Sequence, residues 1–442
     1  MEQVAHGCAV GSFELYCSLV SPEYLEGLRR KFAWDGGWGL FSPSLTVWLM
    51  IRSRLLKGAS LERTWQECTQ EEILALSPHS VRSVSGVLSA NPTGLSYARQ
   101  ALPLGIAEFA ADRLFEEACS LLPPASMPTY LIDGSTLRLE SSSSLLKAYP
   151  PVNNQHGDSH WPMLRILVAH DARTGLAVRP EWGPLNGAHA VSEHSLLPEL
   201  RARLPDECRI LADRNFGVFQ VAWLLKRNML LRLTDVRAKA LLGKGKSLGL
   251  DWDEQVTWRP SARDLGANPN LPKEALVHGR VVVRHVQGPK GLVNVCYFTD
   301  DLSSSAQEIV DRYPLRWNIE TDLRSLKRVV GMEILRAKSP DVLAKEIILA
   351  IAAFNLIRTL MALAAERAGI DPRRIGFVRA CNSVEIFARR GIRSKADYER
   401  MLDDIAARPL PDRRGRKPPP RTVWPKSKPY PTTKQAETSY IS

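Results

Sequence analysis

The sequence predicts an α/β fold. It divides into a helical N-terminal region (1–125), an α/β core (126–235 and 303–370) interrupted by a β-rich insertion (236–302), and a C-terminal helical region with a basic, proline-rich tail (371–442). Three observations carry this. Helical periodicity dominates up to the breaker PPASMP at 123–128 and then gives way to strand-like runs. Between 126 and 235 the order is three strands, helix, strand, helix, strand, as in an α/β domain. From about 236 loops and valine-rich runs replace that alternation, and helices resume at about 304.

Taken in order, SPSLTVWLMIRSRLLKG and the run from Leu104 to Leu122 have helical spacing. TYLIDGSTLRLE is strand-like, and MLRILVAHDARTGLAVRPEWG is a hairpin turning at Asp171 to Gly175. SEHSLLPELRARLP is a helix opened by Ser192 as its cap. CRILADRNFG is a short apolar strand, VFQVAWLLKRN a helix and MLLRLTDVR a strand. Asp133 and Asp213 both fall where a predicted strand ends, the place where α/β folds open a crevice. Within the insertion, RVVVRHV and LVNVCYFTD are strands. IILAIAAFNLIRTLMALAA, at 347–365, is long enough to suggest a membrane span. Asn355 and Arg358 near its middle make a buried core helix the better reading.

Of the 442 residues, 44% are hydrophobic, ordinary for a globular protein. The net charge of +12 and pI of 9.4 favour a polyanionic partner. Part of that charge is local, since 413–434 holds eight Lys or Arg and no acid. Arg413, Arg414, Arg416 and Lys417 open this run and are expected to contact DNA. Seven cysteines form no CxxC pair, which argues against a disulfide framework or a zinc site and for reduced thiols in a cytoplasmic protein. No basic segment followed by an apolar run marks a signal peptide at the N-terminus.

The stretch YPLRWNIETDLRSLKR, 313–328, has helical periodicity. At about 100° per residue, Tyr313, Arg316, Glu320, Arg324 and Lys327 share one stripe, beside an apolar face of Leu315, Ile319, Leu323, Leu326 and Val330. Read alone, this is a surface helix whose Glu pairs with cations one turn away. With Asp133 and Asp213 it admits a second reading. Three carboxylates could converge on hard cations, and the neighbouring cations could hold phosphates. Asp322 points away from Glu320 and is not expected to be a ligand. Asp171 is explained by its hairpin turn, and His189 and His194 lack further spaced ligands.

Tyr313, two residues, Arg316, three residues, Glu320, six residues, Lys327: this spacing resembles the Y-R-E-K signature of cut-and-paste DDE transposases of the insertion sequence four family. IDGSTLRL resembles the family's first-aspartate segment and LADRNFG its second, and the likeness covers roughly residues 30–366. The resemblance implies a ribonuclease-H-like core with a β-rich insertion between the second Asp and the Glu. It implies Asp133, Asp213 and Glu320 as catalytic metal ligands for two Mg²⁺, with Mn²⁺ accepted by the same set. Tyr313, Arg316 and Lys327, with Arg324 beside them, would grip the DNA end. Trp252, Trp258, Tyr297 and Trp317 are candidates to hold a flipped base. The implied partners are double-stranded DNA, as terminal inverted repeats and target, and a second copy in a synaptic homodimer. No membrane is involved, and the setting is the bacterial cytoplasm at the nucleoid. A junction-cutting nuclease on the same core and a non-catalytic DNA-binding protein are the alternatives. The intact trio weighs against the second, and the insertion with the signature against the first.

Overall fold

The structure is a computed structural model that describes residues 11–411 apart from 33, 35–38, 57–58, 79, 81–92, 155–156, 159, 244–246, 289–290, 391 and 393. At its centre is an eight-stranded mixed sheet. Strand β1 (Thr129–Arg138) is followed by helix α8 (Ser143–Ala148), numbered after the seven N-terminal helices below, and by a short ribbon of β2 (Asn153–Asn154) and β3 (Gly157–Asp158). Then come β4 (Met163–Asp171), β5 (Glu181–Pro184), α9 (Glu193–Ala202), β6 (Arg209–Ala212), α10 (Phe219–Leu225), β7 (Met229–Arg232), α11 (Asp235–Leu242), β8 (Trp252–Trp258), α12 (Ala262–Ala267), β9 (Val277–Gly288) and β10 (Gly291–Thr299). The sheet order is β5-β4-β1-β6-β7-β10-β9-β8. β4 and β5 are antiparallel to their neighbours, whereas β6 and β7 run parallel to β1.

Alternation along the strands sorts side chains between two cores. Tyr130, Ile132, Ile210, Ala212, Met229 and Leu231 face a core completed by α9, α10 and α11. Leu131, Leu211 and Leu230 face the opposite core, shared with the helical regions. The N-terminal helices are α1 (Gly11–Leu19), α2 (Pro22–Lys31), α3 (Pro43–Leu55), α4 (Leu61–Gln66), α5 (Gln70–Leu76), α6 (Thr93–Ala101) and α7 (Leu104–Ser120). After the sheet follow α13 (Ala306–Arg312), a 3₁₀ turn (Tyr313–Arg316), α14 (Trp317–Arg328), α15 (Pro340–Ala368), a second 3₁₀ turn (Pro372–Arg374), α16 (Phe377–Arg390) and α17 (Lys395–Ala406).

Helix α15 is the axle of the second core, packed by α3, α7, α16 and α17. Its most apolar window is 94% buried inside the protein, which is the core-helix outcome. Polar residues within it find partners. Asn355 exchanges two hydrogen bonds with the Ala177 backbone, both at 2.8 Å. Glu346 accepts from Arg99 at 2.7 Å and pairs with Arg54 at 3.2 Å, tying the N-terminal helices to the core.

Two local expectations need correction. Asp133 is not at a strand end, because β4 continues to pair with β1 as far as Arg138. What ends at Asp133 is the parallel pairing with β6, whose last register pair is Ile132 with Ala212. Residues 313–316 form a 3₁₀ turn instead of the first turn of an α-helix, so the helical wheel fails there and Leu315 is 41% exposed. The strands of 236–302 join the central sheet. β10 pairs with β7, and the central sheet simply continues through β9 to β8.

Candidate active site

Asp133 and Asp213 are brought side by side by strand register. With Ile132 paired to Ala212, the next residue on each strand is an aspartate. By the same alternation both lie on the face of Leu131 and Leu211, toward the helical layer. Each carboxylate is held by a local backbone amide. The Gly134 N–H donates to Asp133 Oδ1 at 2.9 Å, and the Asn215 N–H donates to Asp213 Oδ1 at 2.8 Å.

The 3₁₀ turn and α14 pack against β1 and deliver Arg316 into this pair. Arg316 is almost fully buried, and its guanidinium bridges two carboxylates. Nη1 donates to Asp133 Oδ2 at 3.2 Å and Nη2 to Glu320 Oε1 at 2.8 Å. Burial pushes the Asp133 carboxyl up to about 6; Arg316 opposes the rise, while Asp213 and Glu193 add to it. Burial pulls Arg316 down, but Tyr313, Asp133, Glu320 and Asp213 outweigh it and raise its pKa. The site is therefore short of positive charge around Asp133, and Arg316 meets part of that need.

Of the remaining sequence-predicted residues, Tyr313 is buried under Arg316, with its ring 4.7 Å from Tyr297. Burial raises its hydroxyl to about 12. Lys327 and Arg324 make no ion pair among the described residues. Arg324 is exposed and borders a cavity of about 990 Å³ lined also by Asp322, Arg328, Arg358 and Arg373. Arg413, Arg414, Arg416 and Lys417 lie outside the described residues. Among the aromatic candidates, Trp258 and Tyr297 are packed into the core and Trp252 donates to the Ser247 carbonyl at 2.7 Å. Trp317 is 46% exposed, with the Arg316 guanidinium 5.1 Å from its ring, so among these four it combines exposure with closeness to the bridging group.

Several residues at the site carry no sequence signal. Glu193 lies over Gly134, and Asn215 donates to it at 2.6 Å. Arg232, at the end of β7, faces Tyr313. Asp322, on the back of α14, is fully buried between Arg358 and Arg373, accepting from Arg373 Nη1 at 2.8 and 2.9 Å. Nothing in residue spacing points from any of these to Asp133.

Among the described residues no three His, Cys, Asp or Glu side chains already form a closed metal-ligand set. The donor chemistry nevertheless fits a hard divalent cation. Asp133, Asp213 and Glu320 offer only oxygen, and two of them already share a cation in Arg316.

Comparison with known proteins follows the same segment. A family model described as a transposase DDE domain matches residues 124–356, just over half of the chain, and spans all three carboxylates. The chain is 24% identical over 263 residues to the transposase InsG for insertion sequence element IS4 of Escherichia coli (strain K12). That alignment covers 57% of each protein, so the chain spans little more than half of this relative. On the family match, this chain belongs to the transposase DDE domain family.

Proposed function

We propose that the protein is the transposase of a bacterial insertion sequence, acting at the nucleoid on the element's terminal inverted repeats by a cut-and-paste DDE mechanism. The supporting observation is the Arg316 guanidinium shared by Asp133 and Glu320, with Asp213 one strand away, all within the family-matched segment. The parallel β1-β6-β7 strands flanked by an antiparallel β4 and β5 support a ribonuclease-H-like core.

In this reading Asp133, Asp213 and Glu320 hold two Mg²⁺, or Mn²⁺. Bound there, such ions would supply activation of the attacking oxygen and charge stabilisation of the leaving one in an in-line displacement at phosphorus. Tyr313, Arg316 and Lys327 would position the phosphodiester of the transposon end, and the exposed Arg324 would add a contact to the neighbouring DNA backbone. Such contacts set register without reading sequence. Water attacks at the end, a P–O3′ bond breaks and a 3′-OH is freed. That hydroxyl attacks the opposite strand to give a hairpin, which water reopens before the same hydroxyl attacks target DNA. Among the four aromatic candidates, the exposure of Trp317 beside Arg316 supports it as the one that would stack on a base displaced at the hairpin. The basic tail adds further phosphate contacts, and two copies pair two ends in the synaptic complex.

The test is a cleavage assay on DNA flanking the reading frame, with Mg²⁺. Wild type is expected to nick the ends and yield a hairpin. Glu320→Gln should abolish nicking while end binding, read by gel shift, stays within about threefold, since a metal ligand contributes little to phosphate-backbone affinity. Loss of binding with normal melting would sink the metal-ligand assignment. Cutting without any strand transfer from pre-cleaved ends would point to a nuclease instead.

A further inference from the structure

Glu193 takes no part in the phosphoryl transfer proposed for the three carboxylates, yet its side chain ties together the groups that hold both aspartates. It is the first residue of α9, fixed there by the Ser192 capping box. Its Oε1 occupies space that only a glycine leaves open, since a Cβ on Gly134 would lie 2.0 Å from it. Gly134 is the residue whose N–H holds Asp133 Oδ1. The other oxygen, Oε2, accepts from Asn215 Nδ2 at 2.6 Å, and the Asn215 N–H holds Asp213 Oδ1. The next residue of α9, His194, contacts the Asn215 carbonyl through Nε2 at 2.8 Å. Asn215 lies in an exposed loop after β6, and the first two residues of α9 grip it at its side chain and its carbonyl.

We propose that Glu193 is a positioning residue for the catalytic carboxylates, acting through Asn215 on Asp213 and through Gly134 on Asp133. This rests on the reading of Asp133 and Asp213 as metal ligands. Its role is that of a hydrogen-bond acceptor. Without it the Asn215 side chain loses its anchor, the loop peptide is free to turn, and Asp213 loses the N–H that orients it. Supporting groups of this kind set how well ligands are presented to a metal.

The experiment compares Glu193→Ala, Glu193→Gln, Gly134→Ala and the double variant Gly134→Ala/Glu193→Ala in the full chain. Two quantities are read: the Mn²⁺ concentration giving half of the thermal shift, and the single-turnover nicking rate on end DNA. Glu193→Ala should raise the first and lower the second by about tenfold or more, the range for loss of a ligand's outer support. Glu193→Gln keeps an acceptor oxygen for Asn215 and should stay within about threefold of wild type. Gly134→Ala should push the carboxylate aside and mimic Glu193→Ala, and the double variant should be no worse than either. If Glu193→Gln fails as badly as Glu193→Ala, charge and not hydrogen bonding is at work and the proposal is overturned. A lower metal-free melting temperature with an unchanged Mn²⁺ midpoint in Glu193→Ala would also overturn it, leaving a structural role only. Asp133→Ala serves as the reference. If it leaves the Mn²⁺ response intact, the ligand reading itself has failed.

Discussion

Asp133 is held in a place where its own charge is unwelcome. Its carboxyl ionises at about 6 in the folded protein against an ordinary value of 3.8, because burial outweighs the help from Arg316. An acid whose pKa is raised by folding opposes the fold once ionised. The opposition is absent below about pH 4, grows as pH rises through 6 and is complete above it. Asp133→Asn in metal-free protein is therefore expected to gain on the order of 2 kcal/mol at pH 7.5 and almost nothing near pH 4. Denaturant titrations at the two pH values check this, and a variant less stable than wild type at pH 7.5 would refute it. A cation bound beside Asp133, as the proposed function requires, would remove this opposition. The residue identities at this scale were legible. The Y-R-E-K spacing singled out Glu320 and Arg316, and the likeness of IDGSTLRL and LADRNFG to the family's aspartate segments singled out Asp133 and Asp213; the structure brings Asp133 and Glu320 to one guanidinium, while the strand end expected at Asp133 is not there.

Helix α14 has two charged faces with opposite destinies. Glu320 and Arg324 are exposed, whereas Asp322 is buried completely on the other side. Burial alone would raise the Asp322 carboxyl, but Arg358 of α15 and Arg373 of the following turn reverse this and hold it low. His170 beside it is pulled down to about 4 by burial, stays neutral near pH 7 and donates from Nδ1 to the Gly175 carbonyl at 3.1 Å. This cluster fixes α14 to the core and thereby fixes where Glu320 sits. Asp322→Ala would strand a buried guanidinium, and a loss of about 3–5 kcal/mol is expected. A loss of less than about 1 kcal/mol, read from the urea midpoint and slope, would show Arg358 finding another partner. The sequence placed Asp322 away from Glu320 correctly. It could not show that Asp322 is buried, since an acid on an apolar wheel face looks like an interruption until its arginines arrive from 36 and 51 residues away.

At the scale of the whole molecule, the N-terminal helices α1, α3, α6 and α7 and the C-terminal pair α16 and α17 pack on α15, and the sheet lies against the same core. Under the proposed function, the basic run at 413–434 is expected to contact DNA. Truncation after Asp412 should weaken DNA binding and reduce the slope of log affinity against log salt by about 0.9 for each phosphate that the tail would have neutralised. Fluorescence anisotropy across salt concentrations measures this. An unchanged slope would make the tail a solvated linker.

By itself the sequence determined the main element types, the core helix, the hairpin and the capped helix at Ser192. Each of these rests on local chemistry, on periodicity, turn formers and caps, which neighbouring residues impose on one another. Only the tertiary structure decided that the strands of 236–302 extend the central sheet, that Asp133 sits within β1 where its parallel partner stops, that residues 313–316 tighten into a 3₁₀ turn, and that Glu193 reaches Gly134 and Asn215. Strand partners and buried ion clusters are chosen by burial and electrostatics between segments far apart in the chain, and no local pattern carries that information.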